Sequence, residues 1–236
     1  MQAHLSSPPN ENHILARLPQ GDYERLRSNL EPIKLQLGQV LQEAGALIEH
    51  VYFPVNAMIS LISETSEGES VEVGVIGYEG MEGISLALGV DKSPHRAIVQ
   101  FPDGAIRMRA EALRAEFNRA GALHDLLLRF TQGLLLQTSQ VAACNRLHTL
   151  AERLARWILM SQDRCISVEL PFTHEFLSLM LGVRRAGVTE AALILQTEGF
   201  INYHRGHIHI TDRPGLETFT CSCYPIIKTE FDQLTA

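Results

Sequence analysis

Residues Leu170–Asp212 read LPFTHEFLSLMLGVRRAGVTEAALILQTEGFINYHRGHIHITD. Thr173 opens the run as a helix N-cap, and Glu175 sits in the first turn, where the helix dipole favours an acid. Phe176, Leu177, Met180 and Leu181 recur at helical spacing, and Gly182 stops the helix after about two turns. A second helix is expected from about Arg184 to Glu198. Val188, Ala192, Leu193 and Leu195 form the side that packs on the first helix, and Arg184, Arg185, Thr189 and Glu190 the other side. Gly199 ends it. Phe200–Ile210 then alternates as two short strands around Arg205-Gly206, a hairpin signal. Helix, tight turn, helix and hairpin make a winged helix-turn-helix, a unit that lays its second helix in the major groove of DNA. The same order could be a plain core fragment. Two adjacent arginines at a helix start argue against that, being costly to bury and suited to phosphates and guanine edges. The residues expected at DNA are Thr173, Arg184, Arg185, Thr189 and Glu190 with His204 and Arg205 of the wing. Arg185 is the expected base reader and Arg184 a phosphate contact.

The 236 residues suffice for one or two domains with a real core. A hydrophobic share of 45% and a charged share of 20% are those of a soluble globular protein. No apolar run reaches the ~18 residues of a membrane span, so no membrane partner is expected. The opening MQAHLSSPPNENH lacks the basic and apolar regions of a secretory signal. Residues 1–12 are therefore expected to be a disordered tail, and the location cytoplasmic. The net charge of −7 runs against DNA binding. From Leu170 to Arg213, however, Arg184, Arg185, Arg205 and Arg213 balance Glu175, Glu190, Glu198 and Asp212. His174, His204, His207 and His209 add partial charge beside a phosphate backbone. Non-specific affinity should be modest and salt-dependent.

Cys144, Cys165, Cys221 and Cys223 are too few and too dispersed for a disulfide scaffold. Cys221-x-Cys223 is a poor zinc half-site, and Cys144 and His148 share a helix face without evident partners. No metal and no cofactor are expected; a reversible redox role for Cys221 and Cys223 is the minor alternative.

Taken in order, Ile14–Leu30 reads as one or two short helices with Leu15, Leu18, Leu26 and Leu30 inside. Short β-rich runs follow: Ile33–Leu37, Gln39–Gln42, His50–Pro54, Ala57–Ser63, Ser70–Ile76, Ala97–Gln100 and Ala105–Arg109, with turn residues between them. That density suggests a sandwich or barrel. Gly77–Gly89 reads as a glycine-rich loop running into a short helix. Glu111–Phe117 is a short helix, and a long one runs from about Leu123 to Asn145. Along it Leu127, Phe130, Leu134, Gln137, Val141 and Cys144 step as a heptad seam, which reads as a dimer interface with Gln137 its polar position. A helix packed only on its own domain is the alternative. Leu147–Ser161 is a further helix, Ile166–Leu170 a short strand, and the tail from Leu216 a final helix. The fold class is α+β: residues 13–120 an effector domain, 121–146 a dimerisation helix, and 147–236 a winged helix-turn-helix.

This order resembles the Crp/Fnr family of bacterial transcription regulators over nearly the whole chain. The resemblance rests on Arg153–Ala155, the Thr173 cap, Leu181-Gly182-Val183 and Glu198-Gly199-Phe200-Ile201. Tyr52–Pro54, the loop EGMEG (79–83) and Cys221-x-Cys223-Tyr224 resemble one large subgroup. It implies a cyclic-nucleotide-binding-like β-roll, a homodimer on a pseudo-palindromic DNA operator, RNA polymerase as partner, and a small-molecule effector whose identity it does not give. Glu82, Gly83, Arg96, Thr138 and Ser139 fall at or beside the family's effector pocket. Two departures argue against cyclic AMP. Met81-Glu82-Gly83 replaces the Gly-Glu-Leu turn, and in His95-Arg96-Ala97 the arginine is offset by one, which in a strand turns a side chain to the other face. Alternatives are a regulator that does bind cyclic AMP or a related nucleotide, or one acting through protein contact or cysteine redox. No cysteine precedes Cys144, so the N-terminal iron–sulfur cluster of oxygen-sensing members is not expected. In the recognition helix, Ala186 stands where cyclic-AMP-type members carry glutamate, and Glu190 where they carry arginine, so a different operator is implied. An enzyme is not expected. The one His-x-His, His207-x-His209, lies in the wing, and there is neither a nucleophile–base constellation nor a phosphate-cradling loop.

Overall fold

The structure is a computed structural model that describes residues 11–165, 167 and 169–235. Asn12, expected in a tail, is fully buried. Its amide donates to the carbonyls of Pro54 and Gly80, and its Oδ1 caps helix α1 (His13–Ala16). The rest of that expected tail, up to residue 10, lies outside the described residues. Helix α2 (Gln20–Leu26) follows, and Ile14, Leu15, Leu18 and Leu26 enter the core.

Strands β1 (Glu31–Lys34), β2 (Val40–Gln42), β3 (His50–Pro54), β4 (Met58–Glu64), β5 (Ser70–Ile76), β6 (Arg96–Phe101) and β7 (Gly104–Arg109) build two antiparallel sheets, ordered β1-β7-β3 and β2-β6-β4-β5. Val51, Phe53 and Met108 of one sheet and Ile59, Ile62 and Val99 of the other are buried in a common core, as in a β-roll. The glycine-rich 77–89 segment contains a single 3-10 turn, Ile84–Leu86.

Helix α3 (Ala110–Phe117) leads into α4 (Ala122–Leu147), the long helix. A capping box between Thr149 and Glu152 starts α5 (Leu150–Arg164). Then come β8 (Glu169–Leu170), α6 (His174–Leu181), α7 (Arg185–Thr197), β9 (Ile201–His204), β10 (His207–Ile210), α8 (Arg213–Phe219) and α9 (Cys223–Thr235). Strands β8, β10 and β9 form the wing sheet in that order, antiparallel. The strand expected over Ile166–Leu170 is thus seen as Glu169–Leu170; Ile166 and Val168 lie outside the described residues.

The heptad seam of α4 is not an open interface. Leu127, Phe130, Gln137, Val141 and Cys144 are buried in the chain itself, and Leu134 is partly covered, its Cδ1 lying over Gly74 of β5. Phe130 meets Phe231 of α9 at 6.4 Å between ring centroids. At Gly133 a Cβ would come within 2.7 Å of Leu234, so only glycine lets α9 approach this closely. Gln137 completes an edge: β5 ends its sheet, and the Gln137 amide accepts from the Val75 N–H at 2.9 Å and donates to the Val75 carbonyl at 3.1 Å. The expected dimer contacts are therefore intrachain packing. The outward side of α4 carries a second heptad, Leu128, Gln132, Leu135, Ser139, Ala142 and Arg146, all exposed.

Helix α5 and the helix-turn-helix dock on the β-roll through buried polar contacts. The Trp157 indole donates to Glu72 of β5 at 2.8 Å; Gln100 donates to the same carboxyl at 2.8 Å, and the Ser60 hydroxyl donates to it as well. Arg164 pairs with Glu79 at 2.6 Å, with side chains only 6% and 5% exposed. The Tyr78 hydroxyl donates to the Asp163 carbonyl, and within the C-terminal part Arg153 of α5 donates to the Leu181 carbonyl of α6.

Candidate nucleic-acid interface

Helix α6 is short because its ends are fixed locally. The Thr173 hydroxyl accepts from the Phe176 N–H, and Gly182, in the left-handed conformation, closes the other end. Three residues on, α7 begins at Arg185 with Arg184 as its N-cap. Val188, Ala191, Ala192 and Leu195 are buried, which fixes the roll of α7 and leaves Arg184, Arg185, Ala186, Thr189 and Glu190 exposed. Leu193, expected on the packed side, is 62% exposed beside Ile194. It stands about 100° round the helix from Ala192, off the buried stripe. The hairpin turns at Arg205 (φ 48°) and Gly206 (φ 84°), the doubly left-handed pair that a two-residue turn requires. That holds His204 and Arg205 at an exposed tip.

His174 joins these parts. Its ring stacks on Tyr203 of the wing, 4.4 Å between centroids and 16° from parallel, and its Nδ1 lies 3.0 Å from the Thr189 hydroxyl of α7. The Tyr203 hydroxyl in turn donates to the Phe172 carbonyl. Gly206 approaches Thr173, so the wing tip, the start of α6 and the first turns of α7 form one continuous face. Sequence reasoning assigned His174 only partial positive charge. In the structure burial, and then the Arg185 guanidinium, lower its pKa, so near neutrality it is an uncharged spacer. Its signal in the sequence was its place beside an N-cap, one residue into a helix. His207 pairs with Glu169 at 3.4 Å across the wing sheet.

The expected effector-pocket residues separate. A cavity of about 270 Å³ lies between the β-roll and α4, lined among others by Glu82, Gly83, His95, Leu134, Leu135 and Thr138. Arg96 is not among its walls: the side chain points to Glu43 at 3.2 Å and Glu64 at 3.5 Å. Strand parity explains it, since His95 takes the inward position. Ser139 is exposed and donates to the Leu135 carbonyl. Burial lifts the Glu82 carboxyl to about 8 and lowers the pKa of His95. No lysine or arginine lines the cavity among the described residues.

At the end of α4, Cys144 and His148 meet Cys221 and Cys223 from the start of α9, with all four potential ligand atoms within 4.8 Å of one another. The partners that Cys144 and His148 lacked in the sequence are those two cysteines.

A larger groove, about 990 Å³, separates α6 and Arg184 from the β4–β5 turn, where Thr65, Glu69 and Ser70 face it. Among the described residues no helix is long and apolar enough to cross a membrane.

Residues 152–219 match the family model of the Crp-like helix-turn-helix domain. No curated protein matches the chain significantly in sequence. Among solved structures, FixK2 from Bradyrhizobium japonicum is similar with a TM-score of 0.70 at 15% identity, over 82% of this chain and 98% of that one. A Crp/Fnr-family transcriptional regulator from Eubacterium rectale gives 0.68 at 17% identity, over 89% and 99%. The c-di-GMP-responsive regulator CLP of Xanthomonas campestris gives 0.63 at 15% identity, over 81% and 99%. At these identities the likeness is one of fold.

Proposed function

We propose that this chain, which carries a Crp-like helix-turn-helix and has the fold of the Crp/Fnr transcription regulators, is a homodimeric, sequence-specific DNA-binding regulator rather than an enzyme. The observation that carries this reading is the division of α7. One side is sealed into the core by Val188, Ala191, Ala192 and Leu195, and the other presents two exposed arginines at the helix start beside an exposed wing tip. Arginine at that position forks to guanine O6 and N7, and Glu190, one turn further on, can accept from cytosine N4. Arg184, Thr173, His204 and Arg205 hold the phosphates. The chain works in the cytoplasm, with RNA polymerase as its partner at promoters.

The dimer forms along the outward heptad of α4, where Leu128, Leu135 and Ala142 meet their copies. Two reading helices related by that axis suit a pseudo-palindromic operator with half-sites about one helical turn apart. The effector is not cyclic AMP. A nucleotide phosphate in this cavity would meet a carboxyl and a neutral imidazole with no fixed cation, whereas phosphate sites rely on charge-assisted donors.

The test is selection of bound sequences from random DNA, followed by titration of the selected and a scrambled duplex at several salt concentrations. Preference for the selected duplex, with log affinity falling linearly in log salt, is expected. Equal affinity for both duplexes would remove the reading.

A further inference from the structure

The four residues gathered at the end of α4 come from two distant pieces of chain. Cys144 lies in the last turn of α4 and His148 is its C-cap; Cys221 precedes α9 and Cys223 is its first residue. The Sγ atoms of Cys144 and Cys221 are 3.4 Å apart, and Cys223 Sγ is 3.7 Å from His148 Nδ1. A tetrahedral zinc ion, with Zn–S near 2.3 Å and Zn–N near 2.0–2.1 Å, needs its ligand atoms about 3.5–3.8 Å apart. Both separations come within a few tenths of an ångström of that. A disulfide would instead require sulfurs about 2.05 Å apart.

The surroundings suit the charge. The three cysteines form a buried cluster apart from the main core, while His148 is half-buried and gives the site a side open to solvent. Arg156 of α5, itself 3% exposed, donates to the Met160 sulfur and acts electrostatically on Cys144 and Cys223. Three thiolates and a divalent ion leave one net negative charge, and Arg156 supplies one buried positive charge to match.

We propose that Cys144, His148, Cys221 and Cys223 form a tetrahedral zinc site that fastens the end of the long helix to the start of the C-terminal helix. Loading converts three thiols to thiolates, and the displaced protons pass to solvent. Four ligands close the coordination sphere, the pattern of a structural rather than a catalytic zinc. The site bridges α4 and the α8–α9 turn, so occupancy fixes the DNA-binding domain against the dimerisation helix. The assignment of the metal stands independently of whether α7 reads DNA.

The experiment uses reduced, untagged full-length protein, equilibrated with zinc, desalted, and assayed for metal; a second sample is loaded with cobalt(II) for its absorption spectrum. The variants are His148→Gln, Cys223→Ser and, as control, Cys165→Ser, a buried cysteine outside the cluster. One zinc per chain is expected in wild type and Cys165→Ser, at least tenfold weaker binding in His148→Gln, and none in Cys223→Ser. Wild-type cobalt protein should show sulfur-to-cobalt charge transfer and intense tetrahedral ligand-field bands, shifted in His148→Gln. Should Cys223→Ser fail to fold, the wild-type spectrum and the shift in His148→Gln decide. Wild type without zinc, a weak octahedral cobalt spectrum, or a Cys144–Cys221 disulfide as the form isolated without oxidant would each overturn the proposal.

Discussion

Replacing Arg164 with methionine should loosen the docking of the DNA-binding domain on the β-roll more than any exposed change could. The Arg164 Nε lies 2.6 Å from Glu79 Oε1, its Nη1 donates to the Met160 carbonyl, and its guanidinium sits 5.2 Å from the Phe231 ring centroid. Among the described residues Glu79 in return accepts only one further bond, from the Gly77 N–H, and its Oε2 has no partner. Arg164→Met therefore strands a buried carboxylate, a change that costs about 3–5 kcal/mol. Glu79→Leu strands the guanidinium instead, partly relieved by the Met160 carbonyl and the ring, and should cost somewhat less. In the double variant both charges are gone and apolar volume replaces them, so the net cost should fall to about 1–2 kcal/mol, leaving a coupling of several kcal/mol between the sites. The assay is urea unfolding at one fixed protein concentration, read by the fluorescence of the single tryptophan. Trp157 sits in the same interdomain seam, hydrogen-bonded to Glu72, so it reports undocking directly. A double variant as unstable as the sum of the singles would refute the reasoning, because the pair would then not interact.

Arg185→Ala should cost about 1–3 kcal/mol on the selected operator and relax preference at one base position, while Arg184→Ala should weaken specific and scrambled DNA alike and flatten the salt slope by about one. If Arg185→Ala lost affinity equally on both duplexes, the reading role would pass to Thr189 and Glu190. Leu135→Glu, at a position 61% exposed in the single chain, should raise the dimer dissociation constant by at least about tenfold by sedimentation without changing monomer stability; an unchanged dimer would place the interface elsewhere. Glu82 binds its proton more tightly folded, at about 8, than at the ordinary carboxyl value of 4.5. Its contribution to stability is thus full below about pH 4.5 and is lost, on the order of a few kcal/mol, as pH rises through about 8. Glu82→Gln should flatten that slope in thermal melts, and an unchanged slope would place the titration on another group.

The helix-turn-helix was legible because its signals are local. Thr173, Gly182 and Arg205-Gly206 fix caps and a turn within a few residues of themselves, and Val188, Ala192 and Leu195 mark a buried stripe by spacing alone. The outward turn of Arg96 followed from strand parity. What could not be read was set by residues far along the chain. Two heptads run down α4, one led by Leu127 and Phe130 and one by Leu128 and Leu135, and spacing treats them alike. The choice is made by Phe231 and Leu234 of α9, which reach Phe130 and Gly133, and by Val75, which takes Gln137. The cysteine cluster was hidden the same way. Cys144-x3-His148 and Cys221-x-Cys223 are each half a site, and their complementarity was the one signal available.

With the dimer on the outer heptad, the two heptads would give α4 a coupling role that neither would give alone. Its inner side is held rigidly by Gln137 on β5 and by α9, so α4 cannot roll without breaking buried hydrogen bonds to Val75. Its outer side bears Leu135, which also lines the cavity beside Glu82 and Thr138, and Leu88 of the opposite wall is 56% exposed. A second copy packed along the outer heptad would cover Leu135 and with it the open mouth of the cavity. A ligand there would then be enclosed partly by the partner helix, and its affinity would depend on the dimer, just as dimer strength would depend on the ligand, by the same factor. The end of the same helix carries Cys144 and His148, so a displacement of α4 along its axis favoured by such a ligand would be passed to the α8–α9 turn, and from there to the domain that holds Arg184 and Arg185.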